Sequence, residues 1–202
     1  MGKTEHARQA AEAEVSFGPV PQPVLGPLTA AAIFLVVTVD PGGEAAVRDL
    51  LGDLAGLHRS VGFRVPAAGL TCVAGVGSAA WDRLFGGPRP TELHPFRELA
   101  GAKHRAVSTP GDLLFHIRAG RFDMCFEFAT QVMYRLAGWV TVCDEVQGFR
   151  YFDERDLIGT VDGTENPAGR AAAAAALAGV FGLAHMRPPF PVAGEPLGAL
   201  GW

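Results

Sequence analysis

Between Ala31 and Val39 the chain runs Ala-Ala-Ile-Phe-Leu-Val-Val-Thr-Val, nine residues without a charge, and it then turns at Asp40-Pro-Gly-Gly. A run so short and so rich in β-branched residues reads as a buried strand. It is far below the ~20 residues that a membrane-spanning helix needs. A different period follows at once. Glu44 to His58 places Ala45, Val47, Leu50, Leu51, Leu54 and Leu57 at helical spacing.

The alternation continues along the chain. Leu70 to Val76 reads as a second strand, ended by Gly75 and Gly77, and Ser78 is the expected N-cap of a short helix through Trp81 to Phe85. Residues 86–110 hold four prolines and three glycines and read as one long loop, a kind of segment that is often functional. Asp112 to Arg118 is a third strand. Arg121 to Leu136 sets Met124, Phe128, Val132 and Leu136 four residues apart, the mark of a helix, and Gly138 ends it. Trp139 to Cys143 opens a fourth strand that extends toward Phe149. This order predicts an α+β fold, the ferredoxin-like βαββαβ arrangement of an antiparallel sheet with helices on one face.

Three segments follow from composition. Residues 1–29 contain Gly18-Pro-Val-Pro-Gln-Pro-Val-Leu-Gly-Pro27 and read as an extended N-terminal arm. Residues 30–167 form the ferredoxin-like domain. Residues 168–202 carry only three charged side chains, Arg170, Arg187 and Glu195, and six alanines run from Ala171 to Ala176. The tail reads as aberrant, in keeping with a shifted reading frame, with a second domain missing.

Several function classes recede on these grounds. A formal net charge of −4 does not suit a nucleic-acid surface, which needs clustered Lys and Arg. The polar start, the late first apolar run and the lack of a twin-arginine pair predict a cytoplasmic protein without a membrane partner. The three cysteines, Cys72, Cys125 and Cys143, each sit in an apolar segment. Their number and spacing give neither a disulfide framework nor a metal pattern, so buried free thiols are expected.

The chemistry lies after the fourth strand, in Gly148-Phe-Arg-Tyr-Phe-Asp-Glu-Arg-Asp-Leu-Ile-Gly-Thr-Val-Asp-Gly-Thr-Glu-Asn-Pro167. Asp162-Gly163 is by itself a common turn dipeptide, in which the aspartate often bonds only its own backbone. The longer run resembles the cytoplasmic bacterial dye-decolourising-type haem peroxidases. Gly159-Thr-Val-Asp162-Gly163 matches their GxxDG motif, and Thr-Glu-Asn-Pro follows it as in that family. Further matches lie upstream, at Arg59 to Arg64, Trp81 to Phe85, Leu93 to Phe96, Asp112 to Arg118 and Asp144 to Arg150.

The resemblance implies the first half of a two-domain, dimeric α+β barrel type of fold, with haem b as cofactor. Hydrogen peroxide and small aromatic reductants (dyes, phenols or porphyrins) would be its substrates, and homo-oligomers are implied as well. Asp162 would be the distal acid/base that moves a proton between the peroxide oxygens. Gly159, Gly163, Thr164 and Glu165 would lie against the haem, with the glycines allowing close backbone approach.

The family's axial histidine and distal arginine belong to a second half beyond position 202. The rival reading is therefore a truncated, non-catalytic fragment that cannot hold haem. His185 is a conceivable substitute ligand, but Gly182-Leu-Ala184 and Met186-Arg-Pro-Pro189 give it no rigid support. His94 and His116 read as surface or core residues rather than ligands, and Arg64, Arg118 and Arg150 as ion-pair partners at strand and loop ends.

Overall fold

The computed structural model describes residues 22–91, 93–161 and 171–172. Strand β1 (Ala31–Val39) leads into helix α1 (Glu44–Gly62), then β2 (Thr71–Val76) and the short α2 (Ser78–Leu84). Two-residue strands β3 (Leu99–Ala100) and β4 (Arg105–Ala106) pair with each other, and β5 (Leu113–Ala119), α3 (Phe122–Arg135) and β6 (Val140–Phe149) complete the order. The main sheet is four-stranded in the order β2-β5-β1-β6, and every neighbouring pair is antiparallel. This is the predicted ferredoxin-like arrangement.

The core explains why β1 tolerates no charge. Ala31, Ile33, Leu35, Val37 and Val39 are buried among Leu113, Phe115 and Ile117 of β5, Val47, Leu50 and Leu57 of α1, and Phe128 and Val132 of α3. Burying one such aliphatic or aromatic side chain is worth about 1.5–3 kcal/mol. Helix α1 runs a turn beyond the expected His58, because Val61 falls four residues after Leu57 on the same buried face. Ala45, counted in the apolar stripe, is exposed instead, in the first turn of the helix.

Four further expectations are corrected. Ser78 is the first helical residue, and Gly77, in extended backbone, takes the N-cap position with no side-chain cap. A Cβ at Gly77 would lie 2.5 Å from the carbonyl oxygen of Gly111, so close approach of two chain segments, and not capping chemistry, sets that junction. The 86–110 segment contains the β3–β4 ladder, closed by Gly101 N–H donating to His104 O at 2.8 Å. Cys72 and Cys125 are buried free thiols, but Cys143 is exposed, because it is the extra residue where the β1–β6 register shifts between Asp144 and Val142. Arg118 forms no ion pair among the described residues. Its guanidinium donates to Pro23 O at 2.8 Å and Gly26 O at 3.4 Å, tying down the end of the N-terminal arm. Arg64 and Arg150 do pair, with Glu127 and Glu154.

The arm also meets the sheet at its β2 edge. The Gln22 amide donates to Ala74 O at 3.0 Å and accepts from Ala74 N–H at 2.7 Å, a side chain occupying the place of a fifth strand.

Candidate functional site

Strand β6 delivers the chain to the motif. It ends at Phe149, and Arg150 N–H donates to Ala30 O at 3.0 Å, holding the exit against the start of β1. A tight turn follows at Phe152–Glu154, where Asp153 (φ 50°) and Glu154 (φ 62°) both adopt left-handed backbone. Such a conformation costs a non-glycine residue roughly 1–2 kcal/mol, so the turn is strained at two successive positions.

Residues 155–161 then fold back on themselves. Arg155 and Val161 form an antiparallel bridge, Asp156 N–H donates to Thr160 O at 3.1 Å, and Gly159 N–H donates to Asp156 O at 3.1 Å. The turn closes through Gly159 at φ 92°, a conformation that glycine adopts without steric cost. The Asp156 carboxylate accepts from the N–H of Ile158 at 3.0 Å, from the N–H of Thr160 at 2.9 Å and from the Thr160 hydroxyl. Arg155 donates to Gly159 O at 2.9 Å. The Thr160 hydroxyl bond and then the backbone amides hold the Asp156 carboxyl below the usual carboxylate range.

An apolar surface surrounds this turn. Phe149, Tyr151, Phe152, Leu157, Ile158 and Val161 are all exposed, Phe152 to 76%. Tyr151 packs its ring against Phe152 at 5.0 Å and against Phe149 at 6.4 Å.

Of the residues singled out from sequence, Gly159 sits where the turn needs it. Asp162, Gly163, Thr164, Glu165 and His185 lie outside the described residues. His94 is exposed, with Nδ1 3.0 Å from Pro95 O. His116 stacks on Phe34 with ring centroids 4.2 Å apart. The long 86–110 segment helps to wall a cleft of about 290 Å³, lined in part by Gly77, Ser78, His94, Ser108 and Asp112. Among the described residues no group of three His, Cys, Asp or Glu side chains is placed to hold a metal ion. Asp156 escaped the sequence reading, although an aspartate followed three residues later by glycine and four later by threonine is a turn signal of the Asx kind.

The sequence model of the N-terminal part of Dyp-type peroxidases matches residues 21–150, from the arm to the end of β6. This chain belongs to the Dyp-type peroxidase family. A dye-decolorizing peroxidase of Rhodococcus erythropolis is 67% identical over 160 residues, covering 79% of this chain and 47% of the relative. One from Mycobacterium tuberculosis is 61% identical over 149 residues, covering 74% and 44%. The encapsulated DyP-type peroxidase of Mycobacterium smegmatis, solved by cryo-EM, superposes with a TM-score of 0.73 at 60% identity, over 75% of this chain and 49% of that one. A variant of Rhodococcus jostii RHA1 DypB in complex with heme gives a TM-score of 0.72 at 50% identity, over 76% and 50%. The chain thus spans about half the length of the Dyp-type peroxidases it matches. No helix among the described residues is long and apolar enough to cross a membrane.

Proposed function

We propose that this chain forms the distal half of a haem-dependent peroxidase that reduces hydrogen peroxide while oxidising dyes, phenols or porphyrin-type molecules. The observation that carries this reading is the 67% identity over 160 residues to a dye-decolorizing peroxidase. Residues 30–167 are the working unit, residues 1–29 an N-terminal arm whose Gln22 sits on the β2 edge, and residues 168–202 a tail of different composition. The setting is cytoplasmic, and the unit assembles into homo-oligomers.

The residues around the turn fit haem b on one face. A flat, largely apolar macrocycle needs an apolar surface and a backbone that can come close, and Phe152, Leu157, Ile158, Val161 and Gly159 offer both. Gly159, with Gly163, Thr164 and Glu165, would hold its edge. When bound, haem supplies the redox chemistry of peroxide reduction. Asp162 takes a proton from one peroxide oxygen and delivers it to the other, so that the departing oxygen leaves as water.

The test is a haem titration of the 202-residue chain followed by peroxide and a reducing dye. Stoichiometric binding with dye oxidation is expected, and Asp162→Ala should slow peroxide consumption by about 10²–10⁴-fold, the usual worth of general acid–base catalysis. Unchanged turnover in Asp162→Ala removes that residue from the reaction. A second reading, that these 202 residues alone are non-catalytic, is favoured by the 47% coverage of the relative's length. Absence of stoichiometric haem binding would establish it.

A further inference from the structure

The GxxDG stretch is preceded by an acid that the proposed chemistry does not use. The Asp156 carboxylate faces back across its own turn and gathers three donors, the N–H groups of Ile158 and Thr160 and the Thr160 hydroxyl. Its own N–H and C=O are engaged as well, with Thr160 O and Gly159 N–H. One residue therefore makes five hydrogen bonds within the turn, and all five go to residues 158–160.

We infer that Asp156 is a positioning residue, which clamps the 155–161 turn and thereby fixes the backbone from which Asp162 departs. The inference rests on the proposed role of Asp162 and deepens it. Its physical basis is the geometry of an aspartate side chain. A single methylene lets one carboxylate oxygen reach the amides two and four residues on, while the other oxygen takes the threonine hydroxyl. Hydrogen bonds to an ionised acceptor are stronger than neutral ones, so the clamp is strongest with Asp156 charged. Arg155 adds a second tie, from its guanidinium to Gly159 O at 2.9 Å, and the Arg155–Val161 bridge closes the base. Val161 is the residue immediately before Asp162, so the clamp ends one peptide short of the proposed acid/base.

Two substitutions separate position from charge. Asp156→Glu keeps the negative charge, but its extra methylene breaks the short-range amide geometry. Asp156→Asn loses the charge and keeps an oxygen where the amides need one. Both are made in the full 202-residue chain and read by NMR without haem, through amide exchange at Ile158 and Thr160 and through the pH titration of the Asp162 side-chain carboxyl. Asp156→Glu should speed exchange at Thr160 by about tenfold, as expected for a lost local hydrogen bond. It should also move the Asp162 midpoint more than Asp156→Asn does. Exchange at Ile33 and Phe115 in the sheet reports that the fold is intact, and Thr160→Val, which removes one donor and no charge, provides a milder variant should Asp156→Glu lose it.

The inference is overturned if Asp156→Asn moves the Asp162 midpoint more than Asp156→Glu, since the coupling is then through charge alone. It is overturned equally if the turn loosens while the Asp162 midpoint stays put. Failure of the peroxidase reading appears elsewhere, in the haem titration of the unsubstituted chain, so the two are told apart.

Discussion

The carboxylate of Asp112 accepts a 2.8 Å hydrogen bond from the backbone N–H of Val39 at the end of β1. The β1–β5 ladder stops at Val37 and Leu113, so this side chain supplies the bond that the next rung would have made. Arg83 completes the joint by reaching Asp112 at 3.3 Å, Val39 O at 2.9 Å and Glu44 at 2.8 Å. One corner of the fold is therefore braced across β1, α1, α2 and β5. Asp112→Ala leaves the Val39 N–H without a partner, and urea unfolding should show a loss of about 2–3 kcal/mol. Asp112→Asn, which keeps an acceptor, should lose less.

His116 makes stability depend on pH. Burial first, and the neighbouring Arg118 second, lower its pKa from 6.5 to about 4. The folded chain thus holds the imidazole neutral where the unfolded chain protonates it. Stability from this residue is complete above pH 6.5, declines as the pH falls from 6.5 to 4, and levels off below that. At full burial such a shift is worth about 3–4 kcal/mol, and the partial exposure of His116 screens the decline down to about 2–3 kcal/mol. In His116→Gln, unfolding curves measured across that window should lose this part of their pH slope.

The three thiols should separate sharply toward a thiol reagent. Burial pushes Cys72 up to about 12, and burial together with Asp123 pushes Cys125 up to about 11. Cys143 is exposed on β6. Native protein should label at one site, identified as Cys143 by mass spectrometry, and denatured protein at all three. Rapid native labelling of Cys72 would contradict the packing of β2.

Gly159→Ala places a Cβ at φ 92° in open space, so its penalty is conformational and not steric crowding. A cost of about 1–2 kcal/mol falls on the turn alone. The melting temperature should barely move, because the turn lies outside the core, while amide exchange at Thr160 accelerates.

The sheet and its helices were legible because their signals are long and periodic. Met124, Phe128, Val132 and Leu136 are all buried as their spacing required, and β1 runs from Ala31 to Val39 as read. What escaped depends on neighbours that no local pattern names. Cys143 has an apolar context like that of Cys72, and both lie on outer strands, yet Cys72 faces the core while Cys143 falls at the register shift of β6. The β3–β4 ladder is two residues long on each side, too short for any period to show. Arg118 looked like an ion-pair partner because sequence reveals charge but not the backbone carbonyls of Pro23 and Gly26 waiting nearby. At the site, Gly159 was legible from the motif, whereas the spacing of Asp156 to Gly159 and Thr160 signals a turn but not which backbone amides its carboxylate gathers.

The Gln22 amide seated on Ala74 closes part of one sheet edge to any added strand. A sheet with two free flanks can accept a strand on each and so propagate without limit, while a sheet with one free flank is finished after a single addition. Here the middle of the β2 flank is already taken by Gln22, and β6 at the opposite end is, among the described residues, paired on one side only. A strand arriving at the β2 flank would therefore first have to displace Gln22 from Ala74, and removing the arm through residue 29 would leave those backbone groups of Ala74 open.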